Sequence, residues 1–378
     1  MRGRQSPLAG QSVHDPQPHR VRQQLQRIHD PYALIRDTFL KVENVGVEDK
    51  VASVESTDTD LEAWQSPDYA DPDLFDEHAV TVGSGAFAVP GTVAVPRGAG
   101  PHPAAVLLAG GGPFDRDGTA GPNKNVKDIA WGLASRGVAV LRFDKVTYTH
   151  REQIAATPDF TPTEEYVPHA VAGIEILRGL STVDGDHVFV IGHSMGGKFA
   201  PRVAAAGPRV AGLVVLAGDT VPMQWSMVRV IEYLTKADPA TAALLPTVEA
   251  ATEHAKLVDS PDLSPATPAA KLPFGMPAQY WLDLRAYDPV SVAATLDLPM
   301  LFMQGERDYQ LTIDGDLAGW RAGLADRPDV IFRTYAADDH MFFPGTGPSL
   351  PGDYAHPHHV DPEVVADIAD WLTTRVRL

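Results

Sequence analysis

The sequence predicts an α/β protein built on a doubly wound, mostly parallel sheet. From about residue 78, short apolar runs rich in Val, Ile, Leu and Phe recur between Gly and Pro, and segments with helical spacing separate them. Strands that are apolar over their whole length are typical of strands buried on both faces. Alternation of such strands with helices favours a parallel sheet that helices cover on both sides.

The predicted elements follow one another along the chain. HAVTV, AFAVPGTVAVP and AAVLLAGGG are strand-like runs. DIAWGLASRG then predicts a helix, VAVLRFDKV a strand, TEEYVPHAVAGIEILRGL a helix and HVFVIG a strand. The strands VAGLVVLAG, PMLFMQG and DVIFRTY and the final helix DPEVVADIADWLTTR complete the pattern.

Four segments are predicted from shifts in this pattern. Residues 1–76 form an N-terminal extension, partly helical and then acidic, which is open to three roles: shielding a sheet edge, supporting a lid, or joining two copies in a homo-oligomer. Residues 77–218 and 291–378 form the two parts of the core. Residues 219–290 interrupt the strand pattern and are rich in Met, Trp, Leu and Pro, which predicts a helical cap over the site.

Composition excludes several classes of function. The chain has 378 residues and a formal net charge of −18, which would repel nucleic acid and anionic lipid surfaces. It has no cysteine, and this rules out disulfides and thiolate chemistry. It shows neither the apolar run of a signal peptide nor the roughly 18 apolar residues of a membrane span, so we expect a cytoplasmic protein without a membrane partner.

The stretch VIGHSMGGKFA contains a candidate nucleophile, Ser194. Gly192 to Gly196 fit G-x-S-x-G, in which a sharp turn between a strand and a helix exposes the serine. The alternative is that Ser194 only caps the helix. The buried-strand pattern before it and the small residues after it favour the nucleophile.

A serine nucleophile needs a base and an acid that orients the base, later in the chain. Asp308 follows the strand PMLFMQG and His340 follows DVIFRTY, and catalytic groups collect at the carboxyl ends of such strands. His193 is expected to be structural. Asp338 and Asp339 are too close to His340 in sequence to orient its ring, although either one is an alternative to Asp308.

Acyl transfer also needs hydrogen-bond donors for the developing oxyanion. The N–H of Met195, the residue after the nucleophile, is the first candidate. The loop AGGGPFDRDG supplies the second, because its glycines let a backbone N–H approach the substrate carbonyl. Within that loop we favour the N–H groups of Gly112 and Phe114, since Pro113 has none.

Cap side chains offer apolar surface for the acyl or alcohol part of a small or medium hydrophobic ester, or alternatively pack the cap onto the core. These residues are Met223, Trp225, Met227, Tyr280 and Trp281.

The remaining polar clusters are expected to be structural. The charged run 115–117 and the pair Asp144 and Lys145 are predicted to brace loops. The sequence HPHH at residues 356–359 lacks the regular spacing of metal ligands and predicts a solvated loop without a metal.

Taken together, these segments resemble bacterial esterases of the α/β-hydrolase superfamily that carry a GGGPxDRDG-like loop. The loop GGGPFDRDG, then LRFDK, YWLDLRAYDP, MQGERDYQ and DDHMFFPGTG are similar to the family pattern over about residues 78–378. The resemblance implies an eight-stranded sheet, a helical cap and hydrolysis of carboxylic esters without metal or cofactor, with Ser194, Asp308 and His340 as the triad. The N-terminal extension and the GGG in place of the common HGSG-like form depart from the family.

Two other functions stay open at this point. Enzymes of this fold in natural-product pathways eliminate an acyloxy group or release a thioester-bound chain, and in an elimination His340 would take a carbon-bound proton. A non-catalytic binding protein would use the cap pocket as a receptor. The intact set of Ser194, Asp308 and His340 favours an enzyme, either the ester hydrolase or the pathway enzyme, over a binding protein.

Overall fold

The computed structural model describes residues 64–376. The helices predicted within the first forty residues therefore lie outside the described part of the chain. The strands are β1 (Phe75–Val82), β2 (Val89–Pro96), β3 (His102–Leu108), β4 (Thr119–Ala120), β5 (Asn123–Lys124), β6 (Ala139–Phe143), β7 (Val183–His193), β8 (Leu213–Leu216), β9 (Met300–Gly305) and β10 (Val330–Tyr335).

Eight of these strands form one sheet in the order β1-β2-β6-β3-β7-β8-β9-β10. Strand β2 is antiparallel to both of its neighbours, and all the other pairs are parallel. Strands β4 and β5 form a separate hairpin. The predicted α/β-hydrolase architecture with a mostly parallel eight-stranded sheet is confirmed.

Helices cover both faces of the sheet and a cap lies between β8 and β9. The helices are α1 (Asn125–Ala134), α2 (Val146–Thr149), α3 (Arg151–Ala155), α4 (Pro162–Arg178), α5 (Met195–Ala206), α6 (Met223–Ala237), α7 (Pro239–Ala242), α8 (Val248–Asp259), α9 (Ala278–Ala286), α10 (Pro289–Thr295), α11 (Ala318–Gly323) and α12 (Pro362–Val376). No helix within residues 64–376 has the length and apolar character needed to cross a membrane.

The two faces of the sheet form two separate apolar cores because successive side chains of a strand point to opposite sides. In β3, Val106 and Leu108 pack with α4 and α5, whereas Ala105 and Leu107 pack with α1 and α12. This double burial is the physical reason why the central strands are mostly apolar, whereas the edge strands β1 and β10 have exposed positions and charged residues.

The cap has an apolar cluster of its own and is tied to the core. Met227 and Ile231 of α6 pack against Ala251 of α8. In α9, the carboxylate of Asp283 lies 2.9 Å from the guanidinium of Arg202 in α5. The segment predicted as a cap is therefore joined to helix α5 of the core.

Candidate active site

Ser194 lies on a sharp turn between β7 and α5. Its backbone has φ 55° and ψ −124°, a conformation that side-chain-bearing residues rarely adopt. A Cβ at Gly192 would lie 2.2 Å from the carbonyl oxygen of Gly196, and one at Gly196 would lie 2.5 Å from that of Leu108. The turn thus requires both glycines. The side chain of Ser194 makes no capping hydrogen bond, so its interpretation as a mere helix cap is wrong.

His340 and Asp308 lie in the loops after β10 and β9 and contact each other. Nδ1 of His340 is 2.7 Å from Oδ2 of Asp308, and both side chains are buried. The other oxygen of Asp308 accepts the backbone N–H groups of Gln310 and Leu311, at 2.8 and 3.0 Å. Gln304 donates its side-chain N–H to Oδ2. The carboxylate is therefore fixed on both oxygens.

This contact sets the protonation behaviour of His340. Burial by itself would lower the pKa of the imidazole, but the charge of Asp308 and its hydrogen bond outweigh burial and raise the pKa above 6.5. Because Nδ1–H donates to Asp308, the neutral ring carries its lone pair on Nε2. Nε2 is then available to accept a proton in the cavity that Ser194 and His340 both line.

The neighbouring polar residues hold the His340 loop. Nε2 of His193 lies 2.8 Å from the carbonyl oxygen of His340 and donates to it. Burial and the adjacent His340 lower the pKa of His193 to about 3, so its ring is neutral. Asp339 accepts the N–H groups of Met341 and Phe343. Asp308, rather than Asp339, is therefore the carboxylate bonded to His340.

The side chains of Ser194 and His340 line the same cavity. Most of the cavity wall is apolar, and a few polar side chains interrupt it. The lining residues are Ala109, Gly110, Gly111, Phe114, Gly118, Asn125, Val126, His193, Ser194, Met195, Asp219, Met223, Ser226, Gln310, Leu311, His340 and Met341.

The glycine loop differs from its prediction. Phe114 lines the cavity, but its N–H donates to the carbonyl of Gly112 at 3.1 Å, so it is engaged within the loop. Gly112 is not among the lining residues, whereas Gly111 is. The tight turn between residues 112 and 114 therefore uses one of the two favoured amides, that of Phe114, within the loop.

Only Met223 of the five predicted cap contacts lines the cavity. Trp225, two residues along α6, donates its Nε1–H to the carboxylate of Asp259 at 2.6 Å. Met227 is buried in the apolar cluster of the cap. Trp225 and Met227 thus do not line the cavity: Trp225 is bonded to Asp259, and Met227, one helical turn beyond Met223, packs in the cap cluster with residues of α8.

Tyr280 and Trp281 of α9 are also packing residues. Both are completely or almost completely buried, and both belong to the main core beneath the cap. The hydroxyl of Tyr280 lies 3.6 Å from Sδ of Met195. These two side chains support the nucleophile helix from below instead of forming the wall of the cavity.

The charged run after the glycine loop has the structural role predicted for it. Asp115 accepts the hydroxyl and backbone N–H of Thr119. Arg116 forms an ion pair of 2.9 Å with Asp144, and Asp117 contacts Arg142 at 3.0 Å.

The HPHH segment also behaves as a structural loop. Nδ1 of His359 lies 3.1 Å from Asp128, and the ring of His358 stacks on Phe343. Between residues 64 and 376, no group of three His, Cys, Asp or Glu side chains is arranged to hold a metal ion.

Sequence reasoning missed four polar residues of the cavity: Asn125, Asp219, Ser226 and Gln310. Asp219 follows β8, and its carboxylate lies 2.7 Å from Nζ of Lys198 in α5. Gln310 follows Asp308 by two residues and lines the same cavity. The position of Asp219 at the carboxyl end of a parallel strand is a signal that identifies it, because that edge collects the functional groups of such sheets.

Two sequence comparisons bear on this site. The model of the dienelactone hydrolase family matches residues 91–239. Esterase EstD of Thermotoga maritima is 34% identical over 325 residues, which cover 86% of this chain and 74% of that protein. The 2,6-dihydropseudooxynicotine hydrolase of Paenarthrobacter nicotinovorans is 27% identical over 165 residues, 42% of this chain and 41% of that protein.

Solved structures share the fold. Est1E from Butyrivibrio proteoclasticus superposes with a TM-score of 0.51 at 16% identity, covering 79% of this chain and 99% of that one. The acylaminoacyl peptidase of Pyrococcus horikoshii gives a TM-score of 0.50 at 13% identity, over 80% of this chain and 42% of that one. At these identities the likeness concerns the fold alone.

Proposed function

Because this chain belongs to the dienelactone hydrolase family of the α/β-hydrolase superfamily and is a carboxylic ester hydrolase, we propose that Ser194 is its nucleophile. In this proposal His340 is the general base and Asp308 orients His340. One observation carries it. Ser194, on its strained turn, lines the same cavity as His340, and Nδ1 of His340 lies 2.7 Å from the carboxylate of Asp308.

The reaction proceeds in two steps through an acyl-serine. Oγ of Ser194 attacks the ester carbonyl while Nε2 of His340 takes the hydroxyl proton, and the negative charge of Asp308 stabilises the imidazolium. The imidazolium then gives the proton to the leaving alcohol. Water, activated by the same histidine, releases the carboxylic acid and restores Ser194.

Backbone N–H groups of Met195 and Gly111 are the proposed oxyanion donors. Met195 is the first residue of α5, where N–H groups lack an acceptor within the helix and the helix dipole favours negative charge. Among the described residues, no hydrogen-bond acceptor engages the N–H of Gly111. Both residues line the cavity that contains Ser194.

The substrates proposed are esters with a small or medium hydrophobic acyl or alcohol group. Phe114, Val126, Met223, Leu311 and Met341 supply most of the apolar wall.

Replacement of Ser194 by alanine tests the proposal. With acetyl, butyryl and octanoyl esters, Ser194→Ala should lose several orders of magnitude in kcat and should not react with a fluorophosphonate. Ser226→Ala is the matched control because it removes another hydroxyl from the same cavity, and it should still be labelled and turn over. Turnover by pure Ser194→Ala at the wild-type rate would overturn the assignment. An alkene product instead of an alcohol would indicate elimination.

A further inference from the structure

Lys145 is a buried cation that the proposed triad does not use. Its side chain is almost completely inaccessible, and its Nζ lies 2.8 Å from Oε1 of Glu165, which is also buried. Nζ donates at 2.7 Å to the carbonyl oxygen of Gly110 and at 2.8 Å to the hydroxyl of Tyr166. Buried charges persist only when they are paired and hydrogen-bonded, and every donor direction here has an acceptor.

The carbonyl of Gly110 accepts a second hydrogen bond, from Tyr166. The tyrosine hydroxyl lies 2.8 Å from that oxygen, and the residue is 3% exposed. Burial and the charge of Glu165 raise the pKa of Tyr166 well above its ordinary value, so the hydroxyl keeps its proton and donates it. An ammonium and a phenol thus converge on one peptide oxygen.

That peptide lies beside the nucleophile. A Cβ on Gly110 would be 3.1 Å from Cβ of Ser194 and 3.6 Å from its Oγ. Within residues 64–376, the cis peptide bond is that between Gly100 and Pro101, so the peptide from Gly110 to Gly111 is trans. In a trans peptide the C=O and N–H groups point in opposite directions. The N–H of Gly111 is therefore directed away from Lys145, and both Gly110 and Gly111 line the cavity that contains Ser194.

We propose that Lys145 and Tyr166 are positioning residues of the oxyanion hole, which fix and polarise the peptide between Gly110 and Gly111. This inference rests on the proposed function. Donors on the carbonyl draw electron density from the peptide, and in hydrogen-bond chains this strengthens the opposite N–H as a donor by roughly 10–30% per bond. They also hold a glycine pair that has no side chains to restrict it.

Glu165 completes the network by balancing the charge of Lys145. Its Oε1 also accepts the hydroxyl of Thr147 at 3.1 Å, and its Oε2 lies 3.4 Å from the hydroxyl of Tyr280. Burial lowers the pKa of Lys145, while the charge of Glu165 counteracts that fall. The network thus spans the loop after β6, helix α4 and the cap helix α9.

The experiment separates positioning from simple packing by a transition-state readout. We would measure kcat, KM and the Ki of a trifluoromethyl ketone, which forms an oxyanion on Ser194, for Tyr166→Phe and for the charge-neutral double variant Lys145→Met with Glu165→Gln. The double variant avoids leaving a buried carboxylate unpaired. Tyr287→Phe is the matched control, because that buried hydroxyl also donates to a backbone carbonyl at 2.8 Å, in α5.

Loss of an entire oxyanion donor costs about 100- to 1,000-fold in kcat, so weakening one donor should lower kcat by about tenfold or more. The Ki should rise by the same factor while KM stays within about threefold, and Tyr287→Phe should change none of the three beyond that margin.

Two results would overturn the inference. One is that Tyr166→Phe keeps the wild-type kcat and Ki; the other is that the variants only raise KM and lower the thermal stability. Failure of the proposed function gives a different result, because wild-type protein would then not be labelled by a fluorophosphonate at Ser194.

Discussion

At the scale of single residues, the contact between His340 and Asp308 governs how activity depends on pH. His340 accepts a proton only when neutral, so kcat/KM should rise with pH through an apparent pKa above 6.5. Asp308→Asn removes the charge that raises this pKa and leaves burial, which lowers it. The rising limb should therefore move below pH 6.5, and kcat/KM should fall by about 1,000- to 10,000-fold.

A pH profile of kcat/KM for wild type and Asp308→Asn measures both effects. Asp339→Asn is the comparison, since Asp339 bonds backbone N–H groups of its own loop and not the ring of His340. If the limb stays in place in Asp308→Asn but moves in Asp339→Asn, the assigned orienting acid is incorrect.

The proposed set of Ser194, Asp308 and His340 could be predicted from the sequence because each comes within five residues of the end of a parallel strand, and parallel strands bring their carboxyl ends to one edge. The loop donors could not, because several adjacent amides compete in a glycine run. The proposal of Gly111 in place of Gly112 depends on two contacts, the hydrogen bond from the N–H of Phe114 to the carbonyl of Gly112 and that from Lys145 to the carbonyl of Gly110. The sequence contains no periodic signal for either contact.

At the scale of elements, helix α6 separates cavity contacts from packing contacts. Met223 lines the cavity, and Met227, one turn later, is buried in the cap cluster. Met223→Ala should enlarge the cavity and raise the ratio of octanoyl to butyryl kcat/KM by about tenfold. Met227→Ala should leave that ratio unchanged and lower the free energy of unfolding by about 2–5 kcal/mol.

Kinetics on the ester panel and denaturant unfolding of both variants distinguish the two roles. If Met223→Ala and Met227→Ala shift the chain-length preference equally, the cap cluster and the cavity do not have separate roles. Sequence patterns predicted a helical cap in this segment, yet they could not assign its methionines, since Met223 and Met227 lie one turn apart on the same helix and differ only in which residues pack against them.

The central strands were predictable for a physical reason, their burial on both faces. Strand β3 alternates between two apolar cores, so AAVLL carries no polar residue. Helix α4 also formed as predicted in spite of Pro168, with a capping box of Thr161 and Glu164 at its start. Strong local signals at element ends thus outweighed one unfavourable residue.

At the scale of the whole molecule, one buried carboxyl links stability to pH. Burial and the charges of Asp361 and Asp339 raise the pKa of Asp338 to about 8. Below about pH 4 the group is protonated in both states. As the pH rises from 4 toward 8, Asp338 ionises in the unfolded chain but stays protonated in the folded protein. The free energy of unfolding therefore falls through this pH range.

Asp338→Asn removes that pH dependence because the amide is neutral at every pH. We expect the variant to be more stable than wild type at pH 8, on the order of 2 kcal/mol, and nearly equal to it at pH 4. Unfolding curves at both pH values test this, with the exposed Asp326→Asn as control. If the difference in free energy of unfolding between Asp338→Asn and wild type is the same at both pH values, titration of Asp338 is not its cause.

The measurement that tests the central claim most directly is rapid-quench intact-protein mass spectrometry with a butyryl ester, followed by peptide mapping. The account predicts a transient mass increase of one butyryl group, located on Ser194 and absent from Ser194→Ala. Turnover without any acylated intermediate, or an acyl group on another residue, would contradict it.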